Sequence, residues 1–175
     1  MSLEVILVFI RKLVPLLLMC FLLVACANNS VSNDEIKKLS FQVFLPEYLP
    51  DGFTEQKKVL DLKEESLLIS YVNGDKYIEV LQVKRSGYDY HQMIQWYASK
   101  DNTEKIDNQF EIVGNYVISI DDLLKKQGVL DVVLLPKQHL DNNVKYDELN
   151  YYHVQTNFNK EDELKSFIES LKAKN

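Results

Sequence analysis

A short apolar segment near the amino terminus sets the first limit on how this chain folds. Residues 13–25 are apolar and directly follow the basic pair Arg11 and Lys12. As a helix, this segment would span about 20 Å, whereas the hydrocarbon core of a bilayer is about 30 Å thick. The pattern is typical of a secretory signal peptide, which is removed from the mature protein. A membrane anchor that also used residues 5–10 is the alternative, but it would place both basic residues in the bilayer at about 2.5–3.5 kcal/mol each.

The apolar segment ends in Leu23-Val24-Ala25-Cys26. This tetrapeptide resembles the lipobox of bacterial lipoproteins, in which two apolar positions and a small residue precede a cysteine. The resemblance implies that a signal peptidase cuts between Ala25 and Cys26, and that the Cys26 thiol carries a diacylglyceryl group with palmitate-type acyl chains. It also implies a location on the extracytoplasmic face of the cell membrane, because two acyl chains anchor a protein stably. Cys20 lies within the signal peptide of residues 1–25 and would be removed with it.

Charge and cysteine content restrict the partners and the means of stabilisation. The chain carries a net charge of -6, and residues 1–25 contribute +1 through Arg11, Lys12 and Glu4, which leaves -7 for the remainder. A domain of this charge is unsuited to a phosphate backbone, so we expect no nucleic acid among its partners. Cys26 would be the single cysteine after processing. We therefore expect no disulfide and a fold that depends on its apolar core.

The remainder of the chain divides into a tether and a domain. Residues 26–40 contain Cys26 and an Asn- and Ser-rich segment that is predicted to be a flexible linker. Residues 41–175 have a length suited to one domain. Their patterns run strands, helix, strands, helix, without regular βαβ alternation. This order predicts an α+β fold: a mainly antiparallel β-sheet with a mid-chain helix and a C-terminal amphipathic helix packed on one face.

The clearest local signal is Asn73-Gly74, which lies between two β-type segments. This dipeptide is typical of a hairpin with a type I′ turn, because both central residues of that turn need a positive φ. Pairing Val72 with Asp75 predicts that Ile69 faces Ile78 and that Leu67 faces Val80. These four apolar side chains, together with Tyr71, are the predicted buried face.

The other predicted elements follow from periodicity and from capping residues. A strand is expected where apolar and polar residues alternate, and a helix where apolar residues recur every three or four positions. The final helix is predicted from Leu164, Phe167, Ile168 and Leu171, with Asn159 as its cap and acidic residues in its first turn. The remaining predictions are strands over 54–62, 109–113, 116–120, 129–135 and 149–158, a helix over 89–99 with an apolar face of Tyr90, Met93, Ile94 and Tyr97, and a helical turn from Asp121 to Gly128.

Two further motifs resemble a known group of domains. The first is Leu49-Pro50-Asp51-Gly52-Phe53, and the second is the Tyr71-Val72-Asn73-Gly74 hairpin, followed at the end of the chain by a strand and an acidic helix. Together they are similar to uncharacterised extracytoplasmic domains in lipoproteins and anti-sigma-factor-like ectodomains of low-GC Gram-positive bacteria. The resemblance covers roughly residues 41–172. It implies a location in the cell envelope and a sensing or accessory role, and it supplies no catalytic residues.

No residue pattern in the chain indicates catalysis. His91, His139 and His153 do not form a tight ligand spacing. His139 and Asp141 would suit a metal site, but a solvated loop is the alternative favoured for them. The acidic pairs Asp121-Asp122 and Glu64-Glu65 are typical of turns and helix caps. We expect no enzyme activity, no cofactor and no metal.

Aromatic residues leave one question open. They either line a groove for a glycan, peptide or lipid, or pack in the core and on the sheet, which is the favoured interpretation. The aromatic residues that would line such a groove are Tyr88, Tyr90, Trp96, Tyr97, Tyr151 and Tyr152.

The leading functional hypothesis is a non-enzymatic binding, sensing or accessory domain in the envelope, with an unknown protein or ligand as its partner. The alternative is a carrier that holds an apolar lipid or peptide in a cavity between sheet and helix.

Overall fold

The computed structural model of the protein describes residues 31–84, 89–99, 110–120, 128–141 and 149–174. Within these ranges the chain forms a seven-stranded antiparallel sheet, a two-stranded antiparallel ribbon and four helices. The spatial order of the sheet is β2-β3-β4-β8-β7-β6-β5, and the ribbon pairs β1 with β9. This confirms the predicted α+β class with a mainly antiparallel sheet. The elements are α1 (Asn33–Ile36), β1 (Phe44–Pro46), β2 (Thr54–Asp61), β3 (Ser66–Asn73), β4 (Lys76–Val83), α2 (His91–Ser99), β5 (Phe110–Val113), β6 (Tyr116–Ile120), β7 (Leu130–Pro136), α3 (Lys137–Asp141), β8 (Tyr151–Thr156), α4 (Glu161–Glu169) and β9 (Leu171–Ala173).

The predicted β3–β4 hairpin is present, but its register is displaced by two positions. Asn73 pairs with Lys76, so the turn consists of Gly74 and Asp75. Gly74 has a φ of 61°, whereas Asp75 has no positive φ, so the turn is of type II′ rather than the predicted type I′. Because the displacement is an even number of residues, every side chain keeps its face. The predicted buried face is therefore confirmed: Leu67, Ile69, Tyr71, Ile78 and Val80 are all buried.

Strand β8 joins two three-stranded meanders into one sheet. It pairs with β4 on one side and with β7 on the other, so β2-β3-β4 and β5-β6-β7 flank it. The predicted hairpin over Gly114-Asn115 connects β5 to β6. Strand β7 lies inside the sheet, between β8 and β6, and its sequence is apolar apart from Asp131.

Two apolar clusters lie on opposite faces of this sheet. Along β6, Tyr116 and Ile118 belong to the larger cluster and Val117 belongs to the smaller one. Met93 of α2 belongs to the smaller cluster and Phe167 of α4 to the larger one. The two helices therefore do not share one face, and this part of the prediction is wrong. The physical reason is that β6 and β7 are apolar at successive positions, so both of their faces need cover.

The folded domain begins earlier than predicted. Ser32 caps α1 in a capping box with Glu35, and Ile36 and Leu39 are only 2% and 4% exposed. The flexible linker predicted up to residue 40 is therefore wrong from Ser32 onward. The compact unit that holds the domain starts at Val31. The predicted signal peptide, Ala25 and Cys26 lie outside the described residues, as does the predicted helical turn after Asp121.

The C-terminal helix differs from its prediction at both ends. Lys160 occupies the N-cap position of α4 and makes no side-chain cap, so the predicted cap at Asn159 is wrong. The helix ends at Glu169, and Leu171 belongs to β9. The acidic first turn is present, and Leu164, Phe167 and Ile168 are buried. Among the helices of the described ranges, none is long and apolar enough to cross a membrane.

Candidate functional site

A buried glutamine holds strand β1 against the sheet. Gln82 is on β4, at 0% exposure, on the same face as Ile78 and Val80. Its Oε1 accepts a hydrogen bond from the Phe44 N–H, and its Nε2 donates one to the Phe44 carbonyl, both at 2.8 Å. The amide therefore satisfies both main-chain groups of Phe44, as a neighbouring strand would. Because buried peptide groups need partners, this contact fixes where the β1–β9 ribbon lies.

The ribbon presents one edge to this glutamine and the other edge to a cleft. Lys174 N–H donates to the Val43 carbonyl at 3.0 Å, and Glu47 N–H donates to the Ser170 carbonyl at 3.1 Å. In an antiparallel ladder every second opposed pair is hydrogen-bonded. The pair Phe44–Ala173, next to the bonded pair Val43–Lys174, therefore directs its main-chain groups outward on opposite sides.

The Ala173 side of the ribbon faces strand β6. The carbonyl of Leu171, two positions before Ala173, accepts a hydrogen bond from the Tyr116 hydroxyl at 3.0 Å. Residues two apart on a strand direct their main-chain groups the same way, so the Ala173 N–H and carbonyl also point toward β6. Within the described residues these two groups have no hydrogen-bond partner.

A cleft of about 340 Å³ opens at this edge. It is bounded by the ribbon, by the β5–β6 turn and by the junction of β7 with α3. Its apolar surface comes from buried side chains, and its polar rim carries two lysines and two amides, with no acidic residue. The lining residues are Phe44, Asn115, Tyr116, Pro136, Lys137, Gln138, Leu171, Lys172 and Ala173.

The two lysines give the cleft a positive rim in an otherwise acidic protein. Lys137 Nζ donates a hydrogen bond to the Gly114 carbonyl at 3.1 Å, which holds the ammonium group at the cleft. Lys172 is exposed on β9. In the described part of the chain, neither lysine is paired with a carboxylate. Both charges therefore remain available to an anionic group.

The aromatic side of the cleft consists of closely packed rings. The Phe44 ring meets the rings of Tyr116 and Tyr152 edge to face, with centroids 5.6 and 5.1 Å apart. The Tyr152 hydroxyl donates to the Gln42 carbonyl at 2.8 Å. Burial raises the pKa of both tyrosines above its ordinary value, so each hydroxyl stays a neutral donor at physiological pH.

The histidines do not form a common site. His91 is exposed at the start of α2, where its main-chain N–H donates a hydrogen bond to the Asp89 carboxylate at 2.9 Å. His139 is half-buried in α3, its Nδ1 has no partner in the described residues, and burial lowers its pKa. The side chain of Asp141 lies outside the described residues. No group of three or more metal-ligating side chains occurs in the parts of the chain described above.

Two side-chain pairs that hold a carboxylate were missed from the sequence. His153 Nε2 lies 2.5 Å from Asp131 Oδ1 across the β7–β8 pair, and the Tyr151 ring stacks on the imidazole at 5.7 Å. The turn expected at Glu64-Glu65 is present, but the Glu65 carboxylate is paired rather than solvated. Lys84 lies 2.5 Å from this carboxylate, and Lys84 together with Ser40 lowers the pKa of Glu65 to about 2.

The aromatic residues do not line one groove. Tyr152 belongs to the larger cluster, and Tyr90 is buried in the smaller one. Trp96, Tyr97 and Tyr151 are half-buried against the smaller cluster. Packing is therefore the role that the structure gives them, and Tyr88 lies outside the described residues.

The cleft was not predicted, because its lining comes from four separated parts of the sequence. One signal for its supporting glutamine was available: Ile78, Val80 and Gln82 alternate along β4, which places an amide on a buried face. A polar residue in such a position needs a partner.

Comparison of the chain with protein-family models, with curated proteins and with solved structures found no match. The resemblance to lipoprotein domains thus rests on the residues that suggested it, namely the lipobox at 23–26 and the motifs at 49–53 and 71–74. The role of the cleft has to follow from its own geometry and charge.

Proposed function

We propose that this protein is a lipid-anchored binding domain on the extracytoplasmic face of a cell membrane. Cys26 carries the diacylglyceryl anchor, and the domain acts as a non-enzymatic sensing or accessory module of the envelope. The observation that carries the proposal is the sequence Leu23-Val24-Ala25-Cys26 at the end of a basic and then apolar leader.

The early start of the folded domain supports a position close to the lipid. Five residues, 27–31, separate Cys26 from the helix cap at Ser32. Fully extended, they reach about 17 Å. After cleavage before Cys26, the anchored domain would therefore work beside the headgroups rather than at the end of a long tether.

The described domain offers a binding surface of its own. The cleft beside β9 combines fixed aromatic rings, a free main-chain edge and two lysines without carboxylate partners. We also infer that α4 packs across one face of the sheet and stiffens the ribbon that follows it. The Tyr71 and Phe167 ring centroids, 5.9 Å apart, support this packing.

Acyl labelling with a matched cysteine control tests the anchor. The chain is expressed in a bacterium supplied with an alkyne fatty acid, and wild type is compared with Cys26→Ala and Cys20→Ala. Wild type and Cys20→Ala should be labelled and sediment with membranes. Cys26→Ala should lose the label and retain the uncleaved leader. Equal labelling of the two cysteine variants would contradict the proposal.

A further inference from the structure

We propose that the cleft beside β9 binds an extended peptide segment of a partner protein that carries an acidic side chain. The segment pairs with Ala173 as an added strand, and its carboxylate meets Lys137 and Lys172. This inference rests on the proposed function, because it names the ligand class of a binding domain. It uses the geometry of the cleft and not the lipid anchor.

The main-chain edge of Ala173 selects an extended peptide over a compact ligand. Its N–H and carbonyl point away from β1 with the spacing of a strand, and no group of the described residues occupies them. A peptide residue laid alongside would accept from the N–H and donate to the carbonyl. The Tyr116 hydroxyl already bonds the Leu171 carbonyl, so pairing is confined to Ala173.

Charge selects an acidic peptide. Nine residues line the cleft, of which two are lysines and none is acidic, in a chain of net charge -6. The Gly114 carbonyl already holds the Lys137 ammonium group at the cleft. A carboxylate that binds there therefore costs little further side-chain entropy of Lys137. An acidic segment would be repelled by most of the protein and attracted to this cleft.

Size limits the ligand to a few residues. The volume of about 340 Å³ lies at the lower end of the range for ligand pockets, roughly 300–1,000 Å³. The aromatic side, made by Phe44 and Tyr116, suits one apolar side chain next to the acidic one. The ligand is thus a short linear motif rather than a folded surface.

Binding of defined peptide pools tests the proposal on the full, processed chain in detergent micelles. The probes are fluorescein-labelled hexapeptide pools of β-branched and small residues, with one fixed position that is Glu, Gln or Lys. The Glu pool should bind about tenfold more tightly than the Gln pool and weaken as salt is raised. The Lys pool should not bind.

Three variants separate charge from main-chain pairing. Lys137→Gln combined with Lys172→Gln should abolish the preference of Glu over Gln. Ala173→Pro removes the outward N–H but no hydrogen bond of the ribbon, because the ribbon bonds use Lys172 and Lys174, and it should weaken both pools by a similar factor. Lys174→Gln, a neighbouring lysine outside the cleft lining, should bind as wild type does.

Several results would overturn the proposal. These are equal binding of the Glu and Gln pools, or no binding of either. Unchanged binding by the double lysine variant would also do so. In another outcome, the protein binds inorganic phosphate, or vesicles containing anionic phospholipid, through the two lysines and binds no peptide. That result would show that the ligand is a phosphate group and not a peptide. If no peptide binds but Cys26 is acylated normally, the peptide proposal is wrong and the proposed lipid anchor is unaffected.

Discussion

The side-chain amide of Gln82 replaces a neighbouring strand for Phe44, with hydrogen bonds of 2.8 Å to both its N–H and its carbonyl. This contact connects the main sheet to strand β1 of the ribbon, which borders the cleft. The ribbon is otherwise held by apolar packing and by the Tyr116 hydroxyl on Leu171. The stability of the domain and the shape of the cleft therefore both depend on Gln82.

Replacement of Gln82 by leucine should be strongly destabilising. Gln82→Leu leaves the N–H and carbonyl of Phe44 buried without partners, and we expect the free energy of unfolding to fall by about 2–4 kcal/mol. Urea unfolding followed by circular dichroism measures this loss. Gln155→Leu is the control, because Gln155 is half-buried on the other face and its side-chain hydrogen bond to Asp131 is 3.3 Å long. A similar loss in both variants would show that Gln82 has no special role.

Residues of the predicted linker should contribute to stability. Ile36→Ala removes a side chain that is 2% exposed, and we expect a cost of about 2–4 kcal/mol in the free energy of unfolding. Ser32→Ala removes the cap of α1 at a cost of about 1 kcal/mol. Lys37→Ala, at the exposed C-cap of α1, should change little. If Ile36→Ala were as stable as Lys37→Ala, residues 32–40 would be a tether after all.

The Glu65–Lys84 pair predicts a change of stability in acid. The pKa of Glu65 is about 2 in the folded protein, against an ordinary value of 4.5, so folding favours its ionised form. This contribution is present above about pH 4.5 and is lost as the pH falls toward 2. Glu65→Gln should therefore be less stable than wild type at pH 7, and the difference should shrink toward pH 2. Glu64→Gln is the control, because Glu64 is exposed, and it should be as stable as wild type at pH 7.

Two turn glycines should differ in their response to alanine. Gly74 and Gly114 both have a positive φ, 61° and 54°, so alanine costs about 1 kcal/mol of backbone strain at either. A Cβ at Gly74 meets nothing, whereas one at Gly114 would lie 2.8 Å from Glu169 Cγ and 3.4 Å from Glu169 Cα. Gly114→Ala should thus be the more destabilising variant by thermal unfolding. Equal melting temperatures would show that Glu169 moves aside without cost.

Local patterns predicted most strands but not how the layers meet. Alternation of apolar residues fixes which side chains share a face, and this is why Leu67 and Ile69 were placed correctly despite a register displaced by two. The register of β3 and β4 follows instead from the position of the two-residue loop, Gly74-Asp75. Ile36 and Leu39 form part of the core only through distant contacts, so their polar surroundings predicted a linker.

The cleft could not be predicted from the sequence, because it too depends on contacts between distant residues. Phe44, Tyr116, Lys137 and Ala173 belong to separate elements and meet only through the sheet order and the contact of Gln82 with Phe44. The Asp131–His153 pair likewise depends on the β7–β8 register. Neither spacing in the sequence nor composition contains that information.

The mass of the amino-terminal peptide of the protein, extracted from membranes of the producing cell, tests the central claim most directly. We predict a peptide that begins at Cys26 and carries the added mass of a diacylglyceryl group. An unmodified chain in the cytosol that still carries residues 1–25 would contradict the account.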